Sequence, residues 1–190
     1  FSLTISKGLS FIDSEDVPKK ECLIDIIMGN KKPEEGNAFF NSVLIPCGKY
    51  RQLLAYRQHL GVFTHERCVL LNNLNAYENI ILCGEYLHKK SQKELADKVI
   101  QYAKEFKIDT ALTKLPYEMS LDEKRKAYFI MLLFKNPQVF IIDYDLLELN
   151  LSNEIFADII KERQKFDVSF IIFGNRELRK LFLEKNEINL

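Results

Sequence analysis

The sequence predicts an α/β fold built on a parallel sheet, and three observations carry that prediction. Val139 to Ile142 and Val168 to Phe173 are wholly apolar runs of strand length, the pattern of strands covered on both faces. Between them, Asn153 to Gln164 places Ile155, Phe156, Ile159 and Ile160 on one helical stripe, so strand, helix and strand follow one another as in a parallel pair. The stretch from about Arg67 to Met119 reads as helix throughout and separates the α/β halves as an inserted helical subdomain. With 190 residues, 47% of them hydrophobic and 12% aromatic, one globular domain can bury a sizeable core.

Along the chain, Phe1 to Ile5 and Leu9 to Ile12 are short strand-like runs divided by the turn signal Ser6-Lys7-Gly8. Asp13 to Glu21 is polar, and Cys22 to Met28 predicts a short helix stopped by Gly29-Asn30. After the turn Lys32-Pro33-Glu34-Glu35-Gly36 come strands around Ala38 to Phe40 and Val43 to Ile45. Tyr50 to His59 has a helical pattern, and Gly61 to Thr64 is apolar enough for a strand. Ala76 to Leu87 is helix-like. Ser91-Gln92-Lys93-Glu94 is a capping box that opens a helix with Leu95, Val99, Tyr102, Ala103 and Phe106 on one face. A second capping box, Ser120-Leu121-Asp122-Glu123, starts a helix that runs to about Phe134 and stops at Lys135-Asn136-Pro137.

Composition narrows the function classes. Twenty-seven basic and twenty-seven acidic residues cancel, so no basic field invites nucleic acid. The four cysteines (Cys22, Cys47, Cys68, Cys83) show neither zinc nor redox spacing, and His65 with Cys68 reads as ordinary packing rather than a metal site; a reducing cytoplasm is the expected setting. No apolar run approaches the ~20 residues of a membrane span, and no charged-then-apolar leader precedes the first strand. The chain starts at Phe1 rather than Met, which leaves room for a piece upstream.

Several segments together resemble a known family. Leu23-Ile24-Asp25-Ile26-Ile27-Met28-Gly29 followed by Lys32-Pro33-Glu34-Glu35-Gly36, then Leu74-Asn75-Ala76-Tyr77-Glu78-Asn79-Ile80, then Tyr117-Glu118-Met119-Ser120 through Leu133-Phe134-Lys135-Asn136-Pro137, resemble in order and spacing the ATP-binding subunits of ABC transporters. The likeness covers nearly the whole chain. It implies a P-loop NTPase (RecA-like) parallel core over 1–66 and 120–190, a helical subdomain over 67–119, a reduced antiparallel β part, and a single ABC-type domain over 1–190.

The functional positions that the resemblance implies are altered. The family's glycine-rich phosphate loop falls on Ser14 to Glu21 with Lys20 at its lysine, but Ser14, Val17 and Lys19 replace the glycines that let successive N–H groups turn towards phosphate. Val17 resists that turn and Pro18 has no N–H. Glu15, Asp16 and Glu21 add carboxylates; two like charges ~4 Å apart repel by about 4 kcal/mol at an effective dielectric of 20. Lys19 and Lys20 then read as a solvated helix start. Asp143 matches the magnesium aspartate and reads either as a metal ligand or as a polar strand end capping a turn. Tyr144 stands at the catalytic glutamate, and a phenol with a pKa near 10 is no base for water at neutral pH.

The signature motif becomes Met119-Ser120-Leu121-Asp122-Glu123, whose two acids satisfy their own helix dipole and repel phosphate. The switch histidine falls on Asn175, the magnesium-linking glutamine on His65 or Glu66, and the dimer-loop aspartate on Asn150. Lys20, Glu21, Cys22, Ser120 and Asn175 are thus degenerate nucleotide-site positions, and Asp143 is the one candidate metal position. No catalytic residue is expected, and no cofactor, with ATP and magnesium only where residual binding persists.

Three functions stay open. The first expectation is a non-catalytic ATPase-like subunit, structural or regulatory, in a membrane transport complex. The second is an ATP-binding subunit with residual affinity in a heterodimer, and the third a soluble protein-binding regulator. For the first, the implied partners are a membrane-embedded subunit and a homo- or heterodimer with another ABC ATPase, with a location peripheral to the inner face of a membrane. Residues near His65 to Leu71 and Tyr77 to Ile81 would line the groove for the membrane partner's helix, or belong to the core.

Overall fold

A computed structural model describes residues 7–13, 16–64, 67–88, 92–143 and 153–174. The expected elements at 1–5, the cap at Ser91 and the segment 144–152 lie outside them. In chain order the elements are β1 (Leu9–Asp13), α1 (Val17–Ile27), β2 (Phe39–Phe40), β3 (Val43–Leu44), α2 (Tyr50–Arg57), β4 (Leu60–Phe63), α3 (Ala76–His88), α4 (Gln92–Glu105), α5 (Leu121–Lys135), β5 (Val139–Asp143), α6 (Asn153–Gln164) and β6 (Ser169–Gly174). Two 3₁₀ turns, Asp109–Ala111 and Pro116–Glu118, join α4 to α5.

The central sheet has the order β1-β6-β5-β4. Strand β6 is parallel to both of its neighbours, with Phe11 opposite Ile172 and Ile141 opposite Ile171. The two apolar runs supply its middle, and Phe140, Ile141, Ile142, Phe170, Ile172 and Phe173 are all buried. Phe140 and Phe170 face each other in register, their rings stacked with centroids 5.1 Å apart. This is the parallel α/β architecture that the sequence predicts.

Helix α1 begins earlier than expected. The polar segment ending at Glu21 is helical from Val17, because Asp16 is an N-cap: its backbone is extended and its Oδ1 accepts the Lys19 N–H at 3.1 Å. Pro18 falls in the first turn, where a missing N–H deprives the helix of nothing. At the other end Gly29 turns the chain out with φ +70, and the Tyr56 hydroxyl and Arg57 Nε of α2 donate to the Ile27 and Met28 carbonyls.

Strands β2 and β3 form a hairpin whose two-residue turn, Asn41-Ser42, has positive φ at both positions, the conformation that matches the strand twist. Phe40 fixes the hairpin to α2 through an edge contact with Tyr56, centroids 5.4 Å apart.

The residues group into two compact units, Phe1–Gly61 with Pro137–Asp145 and Ile160–Leu190, and Val62–Asn136 with Leu146–Ile159. In the second unit α5 packs with α3 and α4 around Phe106, Phe129, Ile130 and Leu133. Asn75 and Glu78 open α3 as a reciprocal cap, each backbone N–H reaching the other's side chain at 2.8 Å. Asn79 is buried and donates to the carbonyls of Leu71, Leu74 and Asn75 while accepting from the Leu71 N–H at 2.7 Å, so it pins the loop before α3. Helix α5 ends where Asn136 adopts the left-handed conformation, φ 51, just before Pro137. Among the described residues, no helix is long and apolar enough to cross a membrane.

Burial raises the Cys68 thiol to about 11 and the Tyr56 phenol to about 12. The unfolded chain releases these protons near 9 and 10, so the folded state binds more protons at alkaline pH. The contribution of these two groups is therefore full below about pH 9 and is lost as pH rises through the window between the unfolded and folded values. Urea midpoints measured at about pH 8 and about pH 10.5 should show this loss, and Cys68→Ala should lessen it.

Candidate functional site

Open α/β sheets bind ligands beyond the carboxyl ends of their strands. Asp143 ends β5, opposite Phe173, and Asp13 ends β1, opposite Gly174. Helix α1 rises from this edge, and its buried Lys20 places Nζ 2.8 Å from Asp143 Oδ2. The two side chains are only 6% and 10% exposed. Asp143 Oδ1 is also buried and has no hydrogen-bond partner among the described residues.

This corrects the reading of Lys20 as part of a solvated helix start. Lys19 fits that description, since it is exposed and pairs with Asp16 at 2.8 Å. With the helix begun at Val17, consecutive lysines point about 100° apart, so one faces solvent and the next faces the sheet. Asp143 takes a side-chain cation, an alternative to both the metal ligand and the turn cap.

The family's phosphate loop requires inward-facing N–H donors, and here those groups serve the chain itself. Val17 to Glu21 are helical, Pro18 has no donor, the Lys19 N–H goes to Asp16 Oδ1, and the Lys20 N–H goes to the Asp16 carbonyl at 3.0 Å. Hydrogen bonding from the Lys19 side chain, then from its backbone, holds the Asp16 carboxyl below its usual range, so an anion stands at the helix N-terminus. These residues do not fit a triphosphate cradle of the implied kind. For magnesium, one Asp143 oxygen is engaged by Lys20, and among the described residues no group of three or more His, Cys, Asp or Glu side chains gathers for a metal.

Glu21 is exposed on α1, and Cys22 is half-buried with the Lys31 ammonium donating to its sulfur at 3.4 Å. Ser120 belongs to the second unit, where it caps α5: its Oγ accepts the Glu123 N–H at 3.2 Å and Glu123 Oε2 accepts the Ser120 N–H at 2.7 Å. The Lys114 ammonium binds Glu123 Oε1 at 2.7 Å and, with the Ser120 backbone, lowers the Glu123 carboxyl below its ordinary value. Asp122 pairs with the buried Lys126 at 2.7 Å. Ser120→Ala should lower stability by about 1 kcal/mol in a urea titration, the usual cost of a lost N-cap.

Ser14, Glu15, His65, Glu66, Tyr144, Asn150 and Asn175 lie outside the described residues. Of the proposed groove residues, Leu70, Asn79 and Ile80 are buried, whereas Val69 and Leu71 are exposed. The pairing of Lys20 with Asp143 was the feature missing from the sequence reading. Its one signal was that both charges persist where the neighbouring glycines, hydroxyl and glutamate do not.

Known proteins agree with this fold. The lipoprotein-releasing system ATP-binding protein LolD of Rickettsia conorii is 25% identical over 174 residues, covering 90% of this chain and 76% of the relative. The LolD protein of Buchnera aphidicola is 23% identical over 183 residues, covering 90% and 80%. Among solved structures, the dimeric bacterial ABC transporter cassette MJ0796 superposes with a TM-score of 0.76 at 17% identity, over 95% of this chain and 80% of that one. The cbiO1 protein of Clostridium perfringens, part of an ABC transporter complex, gives 0.66 at 18% identity over 91% and 69%. The family model described as ABC transporter matches residues 20–144, from the buried lysine through the strand that carries its aspartate, and the chain therefore belongs to the ABC transporter family, with the fold of its ATP-binding domain.

Proposed function

We infer that the chain is a non-catalytic ATPase-like subunit, serving as a structural or regulatory partner in a membrane transport complex. The observation that carries this reading is the Lys20–Asp143 ion pair: the two charges at the family's nucleotide-site positions bind each other at 2.8 Å, behind a helix start whose Lys19 and Lys20 N–H groups are bonded to Asp16. Tyr144 at the position of the catalytic glutamate and the two acids in the first turn of α5 point the same way. The apolar framework persists alongside these losses, as expected of a chain selected for fold and binding rather than turnover. The LolD relatives, named as ATP-binding proteins of a lipoprotein-releasing system, support a transport setting. In that setting the chain sits against a membrane-embedded subunit on the inner face of the membrane, with residues 67–119 as the helical subdomain, and pairs with itself or with an active ATPase.

One observation favours a second reading, an ATP-binding subunit with residual affinity in a heterodimer. Asp143 Oδ1 is a buried acceptor with no hydrogen-bond partner among the described residues, and a cation would satisfy it. Phosphate release from ATP, followed for the native chain and for Asp143→Ala, tests the first reading. No turnover is expected from either protein. Turnover that disappears with Asp143→Ala would overturn the proposal, and co-purification with a membrane protein would support its transport setting.

A further inference from the structure

We propose that Lys20 and Asp143 form a permanent internal latch that ties α1 to the end of β5 in place of a bound ligand. The inference rests on the non-catalytic reading and adds what holds the old site together.

In a nucleotide-binding relative, a lysine and an aspartate at this edge would reach towards phosphate and magnesium. Here their side chains meet directly at 2.8 Å and are almost wholly removed from solvent. Such a pair keeps its geometry because separating it leaves buried charge uncompensated. The elements that present it are fixed independently. Asp16 caps the first turn of α1, Tyr56 and Arg57 hold its far end, and Asp143 stands in register opposite Phe173. Neither side chain has to wait for a ligand to find its place. A ligand that needed Lys20 would first have to break the pair, reopen the helix start at Val17 to Glu21 and meet the Asp16 carboxylate, so the latch excludes it as well as replacing it.

The alternative is a pair that closes only while a working site is empty. The two differ in how they respond to substitution and to nucleotide. Lys20→Met leaves Asp143 buried without its cation, whereas Lys20→Met/Asp143→Leu removes both charges and keeps apolar bulk. Thermal unfolding of the native chain and both variants, each with and without millimolar magnesium ATP, separates the alternatives.

The latch predicts that Lys20→Met lowers the midpoint by roughly 6–12 °C, that adding Asp143→Leu restores most of it, and that magnesium ATP moves none of the three. An unchanged midpoint in Lys20→Met, or a double variant as unstable as the single one, would overturn the latch. So would a nucleotide-induced rise in the native midpoint, since a ligand that binds only the folded state must raise it. A rise without phosphate release would sink the latch and spare the non-catalytic reading, whereas phosphate release dependent on Asp143 would sink that reading.

Discussion

Replacing Phe129 by alanine is expected to lower stability by about 3–5 kcal/mol, the range for deleting a large aromatic from a packed core. Phe129 lies on α5, fully buried, and its ring meets three others in the same unit. Phe63 of β4 approaches edge-on with centroids 5.3 Å apart, Phe106 after α4 lies at 5.9 Å, and Phe156 of α6 at 6.0 Å. Alanine removes the centre of this cluster and leaves a cavity that four separate elements would have to close together. Phe129→Leu keeps most of the volume and should cost far less. Urea unfolding gives both values. A loss below about 1 kcal/mol for the alanine variant would show that the cluster does not hold the unit together.

Gly61→Val should cost about 2–3 kcal/mol, for the opposite reason. A Cβ at Gly61 would stand 2.6 Å from Pro137 Cγ and 3.3 Å from Phe140 Cδ1. The proline ring cannot swing aside, since its φ is locked and it follows the left-handed stop of α5 at Asn136. Phe140 is held by its stack on Phe170. The backbone of β4 or β5 must move, and the Gln138 and Val139 N–H groups, which donate to the His59 carbonyl at 2.9 and 3.1 Å, would be strained with it. A native-like urea midpoint for Gly61→Val would show that β4 and β5 approach less closely than this.

Most of the fold was legible in the sequence because its signals are local. The apolar runs at Val139 and Val168 had only one way to be buried on both faces, and the reciprocal Ser120 and Glu123 cap formed as written. One start was missed. Asp16 is an N-cap, but the lysines and proline that follow it made the segment up to Glu21 read as polar and irregular, whereas α3 begins at Ala76 as expected, behind the Asn75 cap.

The candidate site was legible only as a set of losses. Spacing located Lys20 and Asp143, yet their contact depends on Lys20 lying within α1, and so on whether the helix begins at Val17 or at Cys22. A start misplaced by little more than one turn was enough to leave Lys20 in solvent instead of against the sheet. Nothing in the sequence order joins residues so far apart in the chain; the parallel pairing of β1 and β5 with β6 between them does.

On the proposed reading, this ABC-family chain uses Lys20 and Asp143 to hold each other rather than a nucleotide. Isothermal titration calorimetry of the native chain with magnesium ATP tests it most directly. No saturable heat is expected at submillimolar nucleotide. Binding in that range at one site per chain would contradict it.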